Sequence, residues 1–234
     1  MSKVSVIVTS KVDDPRLPKL MEALNRQTFK DFEVILTHDP GVSKGFNAGI
    51  DQAKGDILVF TEADCVPTDA WLEELVPEVE KGRLVTGIEV FPSPMSPSNI
   101  AIRKEDLGSI RFERYDLAND TEFFWILASK GIKIKRIDKA VVFHMQKRKP
   151  TTRLKFAFGL GVSHARIYHK YRLVDYQYSG IKLLLIAPLF RIVEALFSFS
   201  GSVYGLLRYL PERRKKMPVP ENKFEDNEAR NPRF

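Results

Sequence analysis

Apolar and polar positions change their period along the chain, and each change predicts an element. Residues 3–10, KVSVIVTS, are a short β-branched apolar run, the pattern of a buried parallel strand. In PRLPKLMEALNRQ, Leu17, Leu20, Met21 and Leu24 recur at helical spacing. DFEVILTHD (31–39) predicts a second strand ending in an acid, and SKGFNAGIDQAKG (43–55) a short helix closed by glycine. DILVFTEAD (56–64) predicts a third strand, again ending in an acid. TDAWLEELVPEVEKG (68–82) reads as a helix capped by Thr68 or Asp69 and kinked or broken at Pro77, and RLVTGIEVF (83–91) as a fourth strand.

This alternation predicts an α/β domain with a mostly parallel sheet flanked by helices. Ligands of such sheets bind beyond the carboxyl ends of the strands. Asp39 and the Glu62/Asp64 pair stand at two such ends. A plainer role for each acid is to cap the loop that follows, which two strand ends together make less apt. Further on, PSPMSPS (92–98) is a proline-rich loop, and NIAIRKEDL (99–107) a strand and a turn. NDTEFFWILASKG (119–131) predicts a helix capped at Asn119 and ended by Gly131. IKIKRIDKAVVFH (132–144) predicts one or two strands that end at His144.

The pattern then shifts. From Lys139 through Val174 there are nine Lys or Arg residues and no Asp or Glu, with aromatics interleaved in a helical-looking stretch. Residues 181–210 are strongly apolar but interrupted by Pro188, Arg191 and Glu194. Charges near the middle of such a stretch disfavour a spanning helix, so one or two amphipathic helices lying in a membrane interface are expected. The basic segment before them would attract anionic headgroups. Packing of these helices on the first domain or in a dimer is the competing expectation. The polar tail, 211–234, reads as flexible. The expected organisation is thus a catalytic domain over 1–146, a membrane-associating region over 147–210, and the tail.

Composition narrows the classes. An apolar fraction of 44% and a charged fraction of 29% belong to a folded globular chain. The net charge of +7 favours an anionic partner, but no nucleic-acid reading motif accompanies it, so nucleic acid is not expected. Cys65 is the single cysteine, which fits a reducing compartment, and the N-terminus lacks the pattern of a signal peptide. The expected location is the cytoplasmic face of the cell membrane, as a peripheral protein.

Four segments carry a resemblance when taken in order: VSVIVTS, FEVILTHD, NAGIDQAKGDILVFTEAD, and NDTEFFWILASKG followed by a strand ending at His144. Together, over roughly residues 3–145, they resemble the inverting family 2 glycosyltransferases, which have the GT-A fold. The resemblance implies sugar transfer from a UDP- or GDP-sugar, with a divalent cation, Mg2+ or Mn2+, to an acceptor. Asp64 would be the metal ligand, Glu62 would contact the ribose or support the metal shell, and His144 would be a further ligand or a diphosphate contact. Asp39 would accept a hydrogen bond from the base beside Thr9. Lys44 would pair with the diphosphate, and Asn47 belongs to the same donor-binding set. Two positions depart from the family pattern: Glu62 replaces the first acid of its D-x-D motif, and Asn119 replaces the acid before the catalytic one.

An inverting transfer needs a carboxylate to take the acceptor's proton, and Asp120, in a helix first turn, is the candidate general base. Glu122 is the secondary candidate. A membrane-associated enzyme would meet a lipid-linked or glycan acceptor, whose phosphates Arg153, Lys155 and Arg166 would hold. A homo-oligomer is compatible with the chain. The competing class is a non-catalytic nucleotide-sugar-binding or membrane scaffold protein, to which Glu62 and Asn119 would point. A nucleotidyltransferase fits less well, because TSKVDDPRLP lacks the glycine-rich loop expected after its first strand.

Overall fold

A computed structural model describes residues 3–38, 41–90, 97–113, 119–145 and 150–171, together with 196, 199–204 and 208. These residues fall into two compact units. The first holds the described residues within 3–113 and 123–145, the second those within 119–122 and 150–208.

The first unit is built on seven strands: β1 (Val4–Ser10), β2 (Phe32–His38), β3 (Ile57–Glu62), β4 (Cys65–Pro67), β5 (Arg83–Val90), β6 (Ile100–Arg103) and β7 (Lys133–His144). They form one sheet in the order β2-β1-β3-β6-β5-β7-β4. Helices α1 (Leu17–Asn25), α2 (Val42–Gln52), α3 (Trp71–Leu75), α4 (Lys104–Leu107) and most of α5 (Asn119–Ser129) accompany it. The period-2 geometry of the central strands explains their unbroken apolar runs. Val4, Val6 and Val8 of β1 pack with Leu20 and Leu24 of α1 and Trp71, Leu72 and Leu75 of α3. Ile7 joins the opposite layer with Phe46 and Ile50 of α2 and Phe123 and Leu127 of α5. Each large side chain buried this way contributes roughly 1.5–3 kcal/mol.

The sheet is mixed, which corrects the mostly parallel expectation. β1 pairs parallel with β2 and β3, and β5 parallel with β7. β6, however, runs antiparallel to both β3 and β5, and β4 antiparallel to β7. The reason is connection length. A parallel neighbour needs a crossover of about a dozen residues or more. The chain from Val90 to Ile100 is shorter than that and turns back, so β6 enters antiparallel.

Two helix ends also differ from expectation. α2 stops at Gln52, where Ala53 turns extended, so Gly55 does not close it. Neither Thr68 nor Asp69 caps α3. Gln27, buried beyond the end of α1, does this work from afar: its Oε1 accepts the Leu72 N–H at 3.0 Å and its Nε2 donates to Thr68 O at 2.7 Å. Pro77 does end α3, in a short 3-10 turn over Val76–Glu78. Gly131, at φ +81°, closes α5 as expected, with the Ile132 N–H returning to Leu127 O.

In the second unit, α6 (Pro150–Tyr171) is the helix expected of the basic, aromatic segment. Lys170 Nζ donates to the buried Glu122 at 2.7 Å, and Phe158 meets the Tyr204 ring at 6.0 Å between centroids. Among the described residues no helix is long and apolar enough to cross a membrane. Most of 181–210, and all of 211–234, lie outside the described residues.

Candidate active site

The turn after β3 sets the site. Thr9 pairs with Glu62, and the Ala63 N–H extends that ladder by donating to Thr9 O at 3.0 Å. The next carbonyl, of Asp64, accepts the Met145 N–H at 2.7 Å. The chain then enters β4, where Cys65 lies opposite His144. Backbone pairing from three strands thereby fixes Asp64 beside His144 at one end of the sheet.

Asp64 is buried. Its Oδ2 lies 3.2 Å from His144 Nε2 and accepts from Arg16 Nη1 at 2.7 Å. Burial opposes its ionisation, but His144 and Arg16 outweigh it and hold the carboxyl below the usual carboxylate range. Arg16 is itself braced by Asp14, through Nε at 2.8 Å and Nη2 at 2.6 Å. His144 has a second acidic neighbour, with Nδ1 3.8 Å from Glu89 Oε2. Neither ring nitrogen is aligned for a hydrogen bond. Burial lowers the imidazole, but contact with Asp64 and Glu89 raises it further, to about 10. Glu62 is half-buried and its Oε1 accepts from Ser98 Oγ. Loss of water around it pushes its carboxyl up to about 7 despite that bond.

These groups suit a divalent cation. Asp64, Cys65 and His144 each offer a ligand atom, all within 4.8 Å of one another. His144 Nε2, buried and without a hydrogen bond, would serve as a nitrogen donor once a cation displaces its proton, and Asp64 supplies a hard oxygen. Burial pushes the Cys65 thiol well above its usual range, and its Sγ stays 4.0 Å from Asp64 Oδ1. The thiol is therefore protonated and packs in the core behind the carboxylate and imidazole.

The other described residues singled out in the sequence for donor binding and proton transfer lie on β1, α2 and α5. Thr9 is buried under α2, where a Cβ built on Gly45 would come 2.2 Å from its Oγ1. Lys44 is exposed in the first turn of α2. Asn47 spends both ends of its amide on Phe112, donating to its carbonyl and accepting its N–H, each at 2.9 Å. Asp120 lies in the first turn of α5 and belongs to the second unit; its Oδ1 accepts the Thr121 N–H at 2.7 Å. Asp39 lies outside the described residues.

Residues 37–135 match the family model described as Glycosyl transferase family 2. That match spans under half of the chain. No curated protein sequence matches the chain. Several solved structures share its fold. A mannosyltransferase from Pyrobaculum calidifontis, in complex with GDP-Man and Mn2+, superposes with a TM-score of 0.60 at 15% identity, over 92% of this chain and 76% of that one. Residues 1–349 of S. aureus TarS, in complex with UDP, give a TM-score of 0.54 at 16% identity, over 87% of this chain and 83% of that one. Against a second S. aureus TarS structure the TM-score is 0.55 at 16% identity, over 87% of this chain, which spans only 50% of that one. At such identities the likeness establishes a GT-A-like α/β fold.

The site contains residues that the sequence pattern did not single out. Glu89 is a lone acid inside the apolar strand β5, a signal in itself, since a buried polar group is more informative than an exposed apolar one. Arg16 and Ser98 sit in turns with no periodic pattern, and only the folded chain brings them to Asp64 and Glu62.

Proposed function

We propose that the chain transfers a sugar, with inversion, from a UDP- or GDP-sugar to a hydroxyl or phosphate of a lipid-linked or glycan acceptor at the cytoplasmic membrane face. The buried contact between Asp64 and His144 carries this reading. Together they would hold Mg2+ or Mn2+, and the imidazole nitrogen favours Mn2+. When bound, the cation offsets the charge that develops on the departing nucleoside diphosphate. Complexes of similarly folded proteins with UDP and with GDP-Man and Mn2+ support the donor class and the use of a metal.

The chain's own groups have separable tasks. Glu62 would meet the ribose, Asp39 the base, and the exposed Lys44 the diphosphate. Asn47, already committed to Phe112, is left out of the donor contacts. Asp120 would take the proton of the acceptor hydroxyl as its oxygen bonds to the anomeric carbon and the bond to the diphosphate breaks. Membrane association is supported in the second unit by Leu196, Phe199 and Val203, large apolar side chains at helical spacing and all exposed.

Replacing Asp120 with Asn tests the assignment of the base. Transfer should fall by at least about 100-fold, while binding of the nucleotide sugar, followed by calorimetry, stays within a few-fold of the wild type. Unchanged transfer would remove Asp120 from the chemistry. One observation favours a second reading, a binding protein without turnover: Arg16 already neutralises Asp64. In that case nucleotide-sugar binding would not depend on added Mn2+.

A further inference from the structure

Strand β5 buries a carboxylate for which the reaction above gives no task. The Glu89 side chain is 2% exposed, and neither of its oxygens has a hydrogen-bond partner. Among the described residues no lysine or arginine pairs with it. A carboxylate taken out of water without hydrogen bonds costs several kcal/mol, so an apolar residue like its strand neighbours would serve packing better. The register shows what Glu89 faces instead. It lies opposite Val142 of β7, and His144 lies opposite Cys65 of β4. Residues two apart on a strand share a face, so Glu89, His144 and Cys65 line one side of three adjacent strands. His144 therefore stands between two buried carboxylates, with Nε2 toward Asp64 and Nδ1 toward Glu89.

We propose that Glu89 is a positioning residue for His144: it accepts the Nδ1–H and so holds the ring with Nε2 turned to a cation at Asp64. The Glu89 contact becomes a hydrogen bond if it shortens by roughly 1 Å. A carboxylate behind a metal-bound imidazole fixes the ring's tautomer and orientation and makes the nitrogen a better donor. The inference rests on the reading of Asp64 and His144 as cation ligands, but it concerns a residue that does not touch the cation. A purely structural Glu89 would influence stability alone.

The test is Mn2+ binding to the full chain, read from the electron paramagnetic resonance signal of free Mn2+, with and without UDP or GDP. Wild type, Glu89→Leu, Glu89→Gln, His144→Ala and Asp64→Asn are compared, and the melting temperature of each is recorded without metal. The wild type should bind, and His144→Ala and Asp64→Asn should not. Glu89→Leu should bind roughly 10- to 100-fold more weakly than the wild type. Glu89→Gln should fall between them, because its amide oxygen still accepts a hydrogen bond. The melting temperature of the metal-free Glu89→Leu protein should stay well above the temperature of the binding assay, so that weaker binding is read on folded protein. Wild-type affinity in both Glu89 variants, with binding lost in His144→Ala, would overturn the positioning role and leave the cation reading intact. Weaker binding that merely follows a fall in melting temperature would also overturn it. A wild type that binds no Mn2+ under either condition would remove the cation reading, and the role of Glu89 with it.

Discussion

Asn99 sits where β5 and β7 fall out of step. Thr86 pairs with Arg136 but Ile88 with Val141, so β7 spends extra residues against Gly87. Asn99 Nδ2 donates to Ile88 O at 3.0 Å and to Ala140 O at 3.1 Å, and its Oδ1 accepts the Trp71 indole N–H at 2.7 Å. This fixes the register that sets Glu89 near His144. Asn99→Ala would strip partners from these buried groups, and each orphaned group costs about 1–3 kcal/mol. Urea denaturation should show a loss of about 3 kcal/mol, and a loss below about 1 kcal/mol would mean that other groups hold the register. The sequence displays Asn99 only as a polar residue after a proline-rich loop. Asp64 and His144 were easier to find because each closes an apolar run of sequence, where a charge stands out. Their mutual contact was not readable, since it depends on β4 pairing with β7 across a gap in sequence.

Among the elements, α2 shows what a pattern can and cannot reveal. Phe46 and Ile50 mark its buried face, and the helix forms where they predict. Its distance from the sheet is set by glycines instead. A Cβ on Gly49 would come 2.2 Å from Ile7 Cγ2, just as one on Gly45 would meet Thr9. Gly49→Ala would normally strengthen an exposed helix by about 1 kcal/mol. Here overpacking should reverse the sign and destabilise the protein by about 1–3 kcal/mol, measured as a lower denaturation midpoint. A stabilised variant would show that α2 can move away from β1 without loss. Strand directions were harder to read than strand positions. A strand such as β6 looks alike in either orientation, and only the short connection from β5 betrays that it turns back.

For the whole molecule, the α/β class was legible because the alternation of strand and helix patterns survives in the local sequence. The mixed sheet, the Gln27 cap and the Arg16 pairing were not, because each joins segments far apart in the chain. The roles proposed for Asp64, His144 and Asp120 all depend on one activity, release of a nucleoside diphosphate from an activated sugar. The direct measurement is that release, from a panel of UDP- and GDP-sugars, by wild type and Asp64→Asn, with Mn2+ and with a chelator. The account predicts release by the wild type from at least one donor, dependent on the cation, and reduced by at least about 100-fold in Asp64→Asn. Equal release by both proteins, or none from any donor by a wild type that holds Mn2+, would contradict it.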